Sequence, residues 1–346
     1  MSTQTYPLFV IGNPLLDIVV PNGDEILKKY ELNANDAILA EEKHKSIYDD
    51  AVKAPKITYV AGGAGQNAAR GAAYVLPPNS VVYTGSVGDD DLAEQLKVAN
   101  KKEGLTDAYL VQKGGKTGAC AVIITGQHRS LVTDLQSAEK WNQSHLSSPE
   151  IAPLVDAAKV FYVEGYFLTH GTDTVVELGK KASHASKVFV LNLSAPFIAQ
   201  FFSAQLQQVI PYCDIVICNE SEAEAWASAI GLPDKTDLKA TAKALALAPK
   251  SNPSRPRVVV FTQGAESTIL VSSADPDNPK VYPVQALTSE SIVDTNGAGD
   301  AFAGGFLGAF VAGKTLDEAV EAGHKLGRMC IQLVGAQYQW PKVQII

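Results

Sequence analysis

The sequence from Ile215 to Ile230 reads Ile-Val-Ile-Cys-Asn-Glu-Ser-Glu-Ala-Glu-Ala-Trp-Ala-Ser-Ala-Ile, an apolar run followed by a helix-forming one. The first four residues are apolar throughout, which is typical of a strand covered on both faces in a parallel sheet. Glu220–Ile230 is rich in alanine and glutamate, which have high helix propensity. A strand that leads directly into a helix is the repeating unit of α/β folds, so we predict that class here.

The same alternation extends along the chain in both directions. Apolar runs predict further buried strands at Leu8–Ile11, Val81–Tyr83, Val160–Val163, Val188–Leu191 and Val258–Thr262. Helices are predicted at Asp91–Glu103, Thr172–Ser183 and Asp237–Leu247. We therefore expect a mostly parallel central sheet with helices on both sides, and a ligand site beyond the carboxyl ends of its strands.

Two segments depart from this alternation. Ile18–Ile57 contains short polar and charged pieces with few clear helix signals. Thr117–Leu135 contains an apolar run, a turn at Gly126-Gln127-His128 and a second run, which predicts a β-hairpin. We expect residues 18–62 and 117–135 to form a small β-rich lid domain. Residues 1–17, 63–116 and 136–346 would form the large α/β nucleotide-binding domain.

Composition limits the class of protein. The chain has 346 residues, 46% of them hydrophobic, enough for a sizeable core. A net charge of −8 argues against nucleic acid as a partner, although local amides can still bind phosphate. The four cysteines have neither CxxC spacing nor a histidine cluster, so we interpret them as reduced core residues. With no leader pattern and no apolar run near 20 residues, we expect a cytoplasmic protein without a membrane partner, the nucleus being an alternative compartment.

The segment Asp294-Thr295-Asn296-Gly297-Ala298-Gly299-Asp300 is the strongest catalytic candidate. Its glycines let a phosphate approach the backbone, and the small-residue helix that follows would present free amides and a favourable dipole to an anion. Asp300 in the first helical turn could accept a proton from an attacking hydroxyl. The segment therefore predicts phosphoryl transfer; the alternative is a glycine-rich turn in which Asp300 only stabilises the helix.

Two generic motifs compete with this candidate. Gly308–Thr315 matches the phosphate-loop pattern GxxxxGK[ST], but it begins inside an apolar helical run, so we predict a helix that ends at Gly313. Gly63–Ala68 fits the dinucleotide-binding pattern GxGxxG/A after a strand-like run. Its expected acidic partner is missing, because Asp89–Asp91 follow in a loop rather than at the end of a second strand. Both readings are disfavoured.

The residues resemble a known family. Asp294–Asp300 with Ala301-Phe302 resembles the C-terminal signature of the ribokinase-like kinases of carbohydrates and nucleosides, the PfkB family, and Gly62–Ala69 resembles their N-terminal signature. Gly85–Asp90 follows this N-terminal signature as the family resemblance implies. Further segments, in the expected order across nearly the whole chain, resemble the branch that phosphorylates adenosine: Gly12–Asp17, Asn35–Glu41, Arg129–Leu131, Gly165–Thr169, Leu191–Phe197, Asn219–Ala223 and Phe261–Gly264. The resemblance implies a three-layer α/β/α sandwich with a small lid. It also implies ATP-dependent phosphorylation of the adenosine 5′-hydroxyl to give AMP and ADP in purine salvage, with Mg²⁺, by a monomer.

The resemblance also implies roles for individual residues. Asp300 would be the base, with an anion hole formed by Asn296, Gly297, Ala298 and Gly299 and a lid arginine, Arg129, that moves towards the phosphates. The nucleoside would be held by Asn13, Leu15, Asp17, Leu39, Gly63, Ala64, Asn67, Cys120, Leu131, Thr133 and Phe167. Asp17, Gly63 and Asn67 would bind the ribose hydroxyls. ATP would be contacted by Asn219, Thr262, Gly264, Ala298 and His324, and Asn219 and Glu222 would position Mg²⁺ through water.

Simpler interpretations remain open for several of these residues. Phe167 and Leu131 also suit a core, Asn219 and Glu222 also fit a helix capping box, and His324 also suits a structural position. For the whole chain, the alternatives are a sugar kinase or another nucleoside kinase of the same family, and a nucleoside-binding regulatory protein without turnover. The apolar candidate set disfavours a sugar ligand, and the retained Asp300 disfavours loss of turnover.

Overall fold

The computed structural model describes residues 6–34, 36–126 and 128–346. Its strands are β1 Leu8–Ile11, β2 Leu15–Val20, β3 Ala37–Leu39, β4 Thr58–Gly62, β5 Val81–Thr84, β6 Ser86–Gly88, β7 Thr106–Asp107, β8 Leu110–Gln112, β9 Gly118–Thr125, β10 His128–Asp134, β11 Val160–Glu164, β12 Val188–Asn192, β13 Ile215–Asn219, β14 Val258–Thr262, β15 Thr268–Ser272 and β16 Asp275–Tyr282. Its helices are α1 Asp24–Lys29, α2 Ile47–Lys53, α3 Ala64–Val75, α4 Asp91–Glu103, α5 Ala152–Ala157, α6 Thr172–His184, α7 Pro196–Phe201, α8 Ser203–Val209, α9 Glu220–Ala229, α10 Leu238–Leu247, α11 Ala298–Val311 and α12 Leu316–Cys330. The motif residue Asn35 and the turn residue Gln127 lie outside the described residues.

A nine-stranded sheet forms the centre of the molecule, in the order β16-β15-β14-β13-β12-β11-β1-β5-β7. The pairings from β14 to β7 are parallel, whereas β15 and β16 are antiparallel to their neighbours. All six strands predicted from apolar runs lie in the parallel part. The central strands are buried on both faces, as their uniformly apolar sequences predict.

Helices cover both faces of this sheet. One core contains Phe9, Phe161 and Phe189 and lies under the layer from α5 to α10. The other contains Leu8 and Tyr162 and lies under α3, α11 and α12. Alternate residues of one strand enter opposite cores because successive strand side chains point to opposite faces. The predicted three-layer α/β/α architecture is confirmed.

A second, five-stranded sheet has the order β3-β10-β9-β2-β4. The predicted hairpin is present as antiparallel β9 and β10, while β2 pairs parallel with β9 and antiparallel with β4. Ile18, Ile123 and Val132 pack on one face of this sheet under α1 and α2. Two features were not predicted: β2 begins at Leu15, and the segment Ile18–Ile57 contains two short helices.

The structure also decides between the competing motifs. The helix α11 ends at Val311, Gly313 has a φ of +81°, and the Thr315 side chain caps α12, so Gly308–Thr315 joins two helices. Gly63–Ala68 does open a helix after a strand, but that strand is β4 at the edge of the second sheet.

The four cysteines are buried and unbridged, as predicted. Among the described residues, every helix is too short or too polar to cross a bilayer.

Candidate active site

A cavity of about 460 Å³ lies where the two sheets meet. Residues at the carboxyl ends of four consecutive parallel strands line it: Glu164 of β11, Asn192 of β12, Asn219 of β13 and Thr262 of β14. The opposite wall comes from the second sheet, and the N-terminus of α11 closes one end. The cavity therefore occupies the position where α/β sheets bind ligands.

The second-sheet wall is built by strand register. Asp17 lies opposite Cys120, Cys120 lies opposite Thr133, and Thr133 lies opposite Leu39. Directly opposed residues share a face of a sheet, so these four side chains form one row across four strands. Leu131 lies two residues from Thr133 on the same face of β10. Pairing thus brings together candidate residues that are up to 116 positions apart in sequence.

The Asp294–Asp300 segment, which we call the anion loop, leads into α11. Gly297 precedes the helix with a φ of +75°, a left-handed conformation that favours glycine, and a Cβ there would collide with Ala336. The first amides of a helix have no acceptor within the helix, so those of Gly299 and Asp300 face the cavity end. Asp294 supports the loop by accepting the N–H groups of Asn296 at 2.8 Å and Gly335 at 2.9 Å.

Asp300 lies in the first turn of α11 and lines the cavity. Its Oδ2 accepts a hydrogen bond of 3.0 Å from Asn67 Nδ2. Burial raises the pKa of Asp300 to about 6, while the Asn67 hydrogen bond and the Arg70 charge hold it down. A carboxylate with this pKa is ionised at neutral pH and is still basic enough to take a proton from a reacting hydroxyl.

Arg70 explains how Asn67 is oriented. Its guanidinium is buried and pairs with Glu103 at 2.9 Å, and it donates to the Ala61 carbonyl at 2.7 Å and to the Ala336 carbonyl. It also approaches Asn67 Oδ1 at 3.4 Å, so the Asn67 amide nitrogen is directed at Asp300. Sequence reasoning missed this residue, although an arginine among the small and apolar residues 68–75 of α3 was a visible signal.

Asp17 is the second carboxylate of the cavity. It is 6% exposed, and a side chain at Gly62 would collide with its carboxyl group, so the glycine makes room for it. Burial raises the pKa of Asp17 to about 7, with a further rise from the charge of Asp300, against the lowering effects of Arg70 and of a hydrogen bond from Asn296. Two buried carboxyl groups therefore line one cavity, and the charge of Asp300 raises the pKa of Asp17.

Asn219 and Glu222 form the capping box of α9. Glu222 N–H donates to Asn219 Oδ1 at 2.9 Å, and Glu222 accepts Asn219 N–H at 3.0 Å and Nδ2 at 2.8 Å. Both residues also line the cavity, and burial raises the pKa of Glu222 to about 7. Within the described residues, no group of three or more His, Cys, Asp or Glu side chains could enclose a metal. Mg²⁺ fits this site only with water and substrate phosphates as further ligands.

Arg129 connects the two walls. It lies on β10 of the second sheet, and its Nε donates to Asp294 Oδ1 at 2.5 Å and its Nη2 to the Val293 carbonyl at 3.1 Å. Its side chain is 11% exposed and lines the cavity. The ion pair therefore holds the second sheet against the anion loop.

A model of the family described as pfkB family carbohydrate kinase matches residues 25–343. The chain belongs to the PfkB family. The adenosine kinase of Schizophyllum commune is 66% identical over 343 residues, which are 99% of this chain and 100% of that relative. Among solved structures, Anopheles gambiae adenosine kinase in complex with P1,P4-di(adenosine-5) tetraphosphate has a TM-score of 0.93 and 37% identity, covering 96% of this chain and 97% of that one. Schistosoma mansoni adenosine kinase with 2-fluoroadenosine has a TM-score of 0.92 and 33% identity, covering 97% and 98%.

Most predicted site residues of this PfkB family member line the cavity, but three do not. Phe167 is fully buried, and its ring is steeply inclined to those of Trp141 and His170 in T-shaped contacts. Gly264 is an exposed turn residue between β14 and β15. His324 shares a hydrogen bond of 2.8 Å with Thr268 Oγ1. In the turn Gly165–Thr169 the neighbouring Tyr166 lines the cavity, and a role for Phe167 in nucleoside binding stays a prediction.

The PfkB fold also brings in residues that we did not predict. These lining residues are Ile38, Leu135, Glu164, Tyr166, Thr169, Asn192, Ser194, Ile217 and Cys218, and Ala37 and Thr295 of the predicted motif segments line the cavity as well. Glu164 accepts the N–H groups of Asn13, at 2.6 Å, and Gly65, and burial raises its pKa to about 8. Glu164 and Asn192 each end an apolar run, which is a signal that sequence reasoning could have used.

Proposed function

We propose that this PfkB family member transfers the γ-phosphoryl group of ATP to the 5′-hydroxyl of adenosine, giving AMP and ADP. The observation that carries the proposal is the Asp300 carboxylate beside the anion loop, in a cavity whose opposite wall is largely apolar. The adenosine kinases with which the chain shares its sequence and fold support the same acceptor. A sugar would need more polar groups on the Leu39 and Leu131 wall.

The chemistry follows from the geometry. Asp300 takes the proton of the 5′-hydroxyl as the oxygen attacks the γ-phosphorus, and the bond to the ADP oxygen breaks. The amides at the start of α11 stabilise the negative charge on the transferring group, because hydrogen-bond donors aimed at developing charge lower the barrier. Asp17 accepts from the two ribose hydroxyls and so holds the 5′-oxygen near Asp300.

Mg²⁺ belongs to this proposal as a partner of the ATP phosphates. When bound, it neutralises charge on the β- and γ-phosphates. Asn219 and Glu222 would hold it through water, since both Glu222 oxygens already accept from Asn219. Glu222→Gln should then raise the KM for MgATP several-fold while the KM for adenosine stays within twofold. Equal effects on both substrates would indicate that the capping box acts only on the fold.

The second sheet is proposed to act as a lid that closes on the nucleoside and keeps water from the γ-phosphate. Arg129 would leave Asp294 and pair with the phosphates, which carry the larger negative charge. Adenosine should slow hydrogen exchange in residues 18–62 and 117–135. Identical exchange with and without adenosine would contradict the lid.

We also propose a monomer, since one chain supplies both walls of the cavity, and light scattering at assay concentration would test it. A cytoplasmic location, with the nucleus as the alternative, stays a prediction.

A substrate panel tests the central proposal. The purified protein is assayed for ADP release with MgATP and adenosine, other nucleosides, ribose or fructose as acceptor. We expect adenosine to give the highest kcat/KM, by at least two orders of magnitude over the sugars. Turnover with ribose or fructose but not with adenosine would assign a sugar kinase. Calorimetric binding of adenosine without ADP release would assign a nucleoside-binding protein instead.

A further inference from the structure

Asn13 is held in an unusual way at the cavity. It is 1% exposed and lines the cavity, and its backbone N–H donates to Glu164 Oε1 at 2.6 Å. Its Oδ1 lies 2.9 Å from Nε2 of His170. Within the described part of the chain, its Nδ2 group is buried and has no acceptor. A residue fixed at its backbone and at its carbonyl oxygen therefore keeps an unused donor.

The His170 contact fixes which end of the amide is free. An amide oxygen can only accept, so His170 Nε2 must carry the hydrogen, and the ring is the neutral Nε2–H tautomer. Burial lowers the pKa of His170 to about 4, so the ring stays neutral through the physiological range. Its ring packs against Phe167 with centroids 4.9 Å apart, and Phe167 packs against Trp141. Phe167 and Trp141 therefore fix the position of the His170 ring, which in turn is hydrogen-bonded to Asn13.

An unpaired buried donor is destabilising, and an occupant that supplies an acceptor removes that cost. In the proposed reaction the occupant is a purine nucleoside, whose base carries unprotonated ring nitrogens as acceptors. We propose that His170 is a positioning residue that directs Asn13 Nδ2 at a ring nitrogen of the purine, and so makes the site selective for bases with an acceptor at that point. This inference rests on the proposed function, because it names the base-reading element of the same site.

His170 matters because an asparagine amide can rotate. Without a donor facing Oδ1, the amide turns by 180° about its terminal bond and presents oxygen to the base instead of nitrogen. An oxygen repels a ring nitrogen lone pair and tolerates a C–H group. Loss of His170 should therefore remove discrimination between a nitrogen and a C–H at one position of the base, with a much smaller effect on turnover of adenosine.

The test uses kcat/KM for adenosine and for its 1-deaza, 3-deaza and 7-deaza analogues, each with one ring nitrogen replaced by C–H. In the unmodified protein we expect one analogue to lose roughly 5- to 100-fold, the range for an unpaired buried hydrogen-bonding group. In His170→Phe the loss for that analogue should shrink to about twofold or less, and His170→Gln, which retains an N–H donor, should restore much of it.

His145→Phe is the matched control. His145 packs against the same Trp141 ring, with centroids 5.5 Å apart, and its Nε2 bonds to the Ala108 carbonyl rather than to a residue of the cavity. This variant should keep the discrimination of the unmodified protein. Equal kcat/KM for adenosine and all three analogues in the unmodified protein, or unchanged discrimination in His170→Phe, would overturn the proposal.

A second measurement does not depend on a variant or on turnover. Long-range nitrogen NMR of the histidine rings should show His170 with hydrogen on Nε2, and hydrogen on Nδ1 would overturn the proposal. If adenosine is not a substrate, this tautomer result still stands by itself, and the proposed function fails separately in the substrate panel.

Discussion

The two walls of the cavity differ in chemistry. The large-sheet wall and the start of α11 contribute Asp300, Glu164 and Glu222, each held by hydrogen bonds to a neighbouring segment. The second-sheet wall contributes mainly apolar side chains such as Leu39 and Leu131. Asp17, Arg129 and Thr133 are the polar exceptions on this wall, and Asp17 stands at the end of its row nearest α3. On the proposed function, the first wall would perform the chemistry, and the second would shape the site and exclude water.

Two arginines join these walls, and they do so differently. Arg70 is fully buried and reaches the second sheet through the Ala61 carbonyl. Arg129 belongs to the second sheet and reaches the anion loop through Asp294. The first contact is enclosed by protein and is suited to permanent support. The second lines the cavity, where a substrate phosphate can replace Asp294 as the partner.

Removing the proposed general base, Asp300, should have the largest effect on kcat. Asp300→Asn keeps the size of the side chain but cannot accept the hydroxyl proton, so kcat should fall by roughly 10³-fold or more, near the upper range for general base catalysis. A coupled assay of ADP formation measures it. Asp173→Asn is the control, because Asp173 is also a first-turn acid of a helix, is exposed and lies away from the cavity. A fall in kcat of less than tenfold in Asp300→Asn would show that Asp300 is not the general base.

The role of Arg70 in supporting Asp300 can be tested by replacing the buried Arg70–Glu103 ion pair. In Arg70→Met with Glu103→Leu, apolar side chains replace both members of a buried ion pair, a change that is often neutral for stability. We expect kcat to fall about 30-fold, because Asn67 is no longer oriented and Asp300 loses a nearby positive charge. The unfolding temperature should also fall, because the Ala61 and Ala336 carbonyls lose their donor, so kcat is compared at a temperature where both proteins are folded. A stable double variant with full activity would show that Arg70 supports only the fold.

The pH dependence of kcat should report the protonation of Asp300 on the large-sheet wall. Since burial raises the pKa of Asp300 to about 6, the carboxyl takes up a proton as the pH falls through 6, and the base is lost. We therefore expect kcat to drop about tenfold from its neutral plateau by pH 5. In the Arg70 and Glu103 double variant the drop should begin at higher pH, because the Arg70 charge lowers the pKa of Asp300. An unchanged profile would contradict this electrostatic role.

The parts predicted from sequence are those with local signals. Apolar runs marked the six central strands, and the glycines with Asp300 marked the anion loop before its helix. The strand β16 has no clear sequence signal, because it contains Pro276 and Pro279 and prolines normally interrupt strands. It lies at the edge of the sheet, where a missing N–H is tolerated. The helices of the second sheet are six and seven residues long, too short for a clear periodic pattern.

The parts that escaped prediction depend on distant pairing. Arg70 acts through Glu103 and through Ala336, which is 266 positions away, and no local pattern encodes that contact. Asp294 belongs to the anion-loop motif, but its supporting bonds to Arg129 and Gly335 form only in the folded chain. Phe167 and Tyr166 are adjacent in sequence, so only the rotation of the turn decides which one faces the cavity.

A substitution in the second-sheet wall should have the smallest effect on kcat/KM. Whether KM or kcat changes shows whether this wall binds the nucleoside or takes part in the reaction. On the proposed function, Leu131→Ala removes an apolar contact with the base and touches no reacting atom, so the KM for adenosine should rise about fivefold while kcat stays within twofold. Val52→Ala is the matched control, because Val52 lies on α2 behind the same sheet and is 43% exposed. Steady-state kinetics with adenosine as the varied substrate separates the two constants. If kcat falls and KM does not, Leu131 contributes to the transition state, and the second sheet takes part in the chemistry rather than only enclosing it.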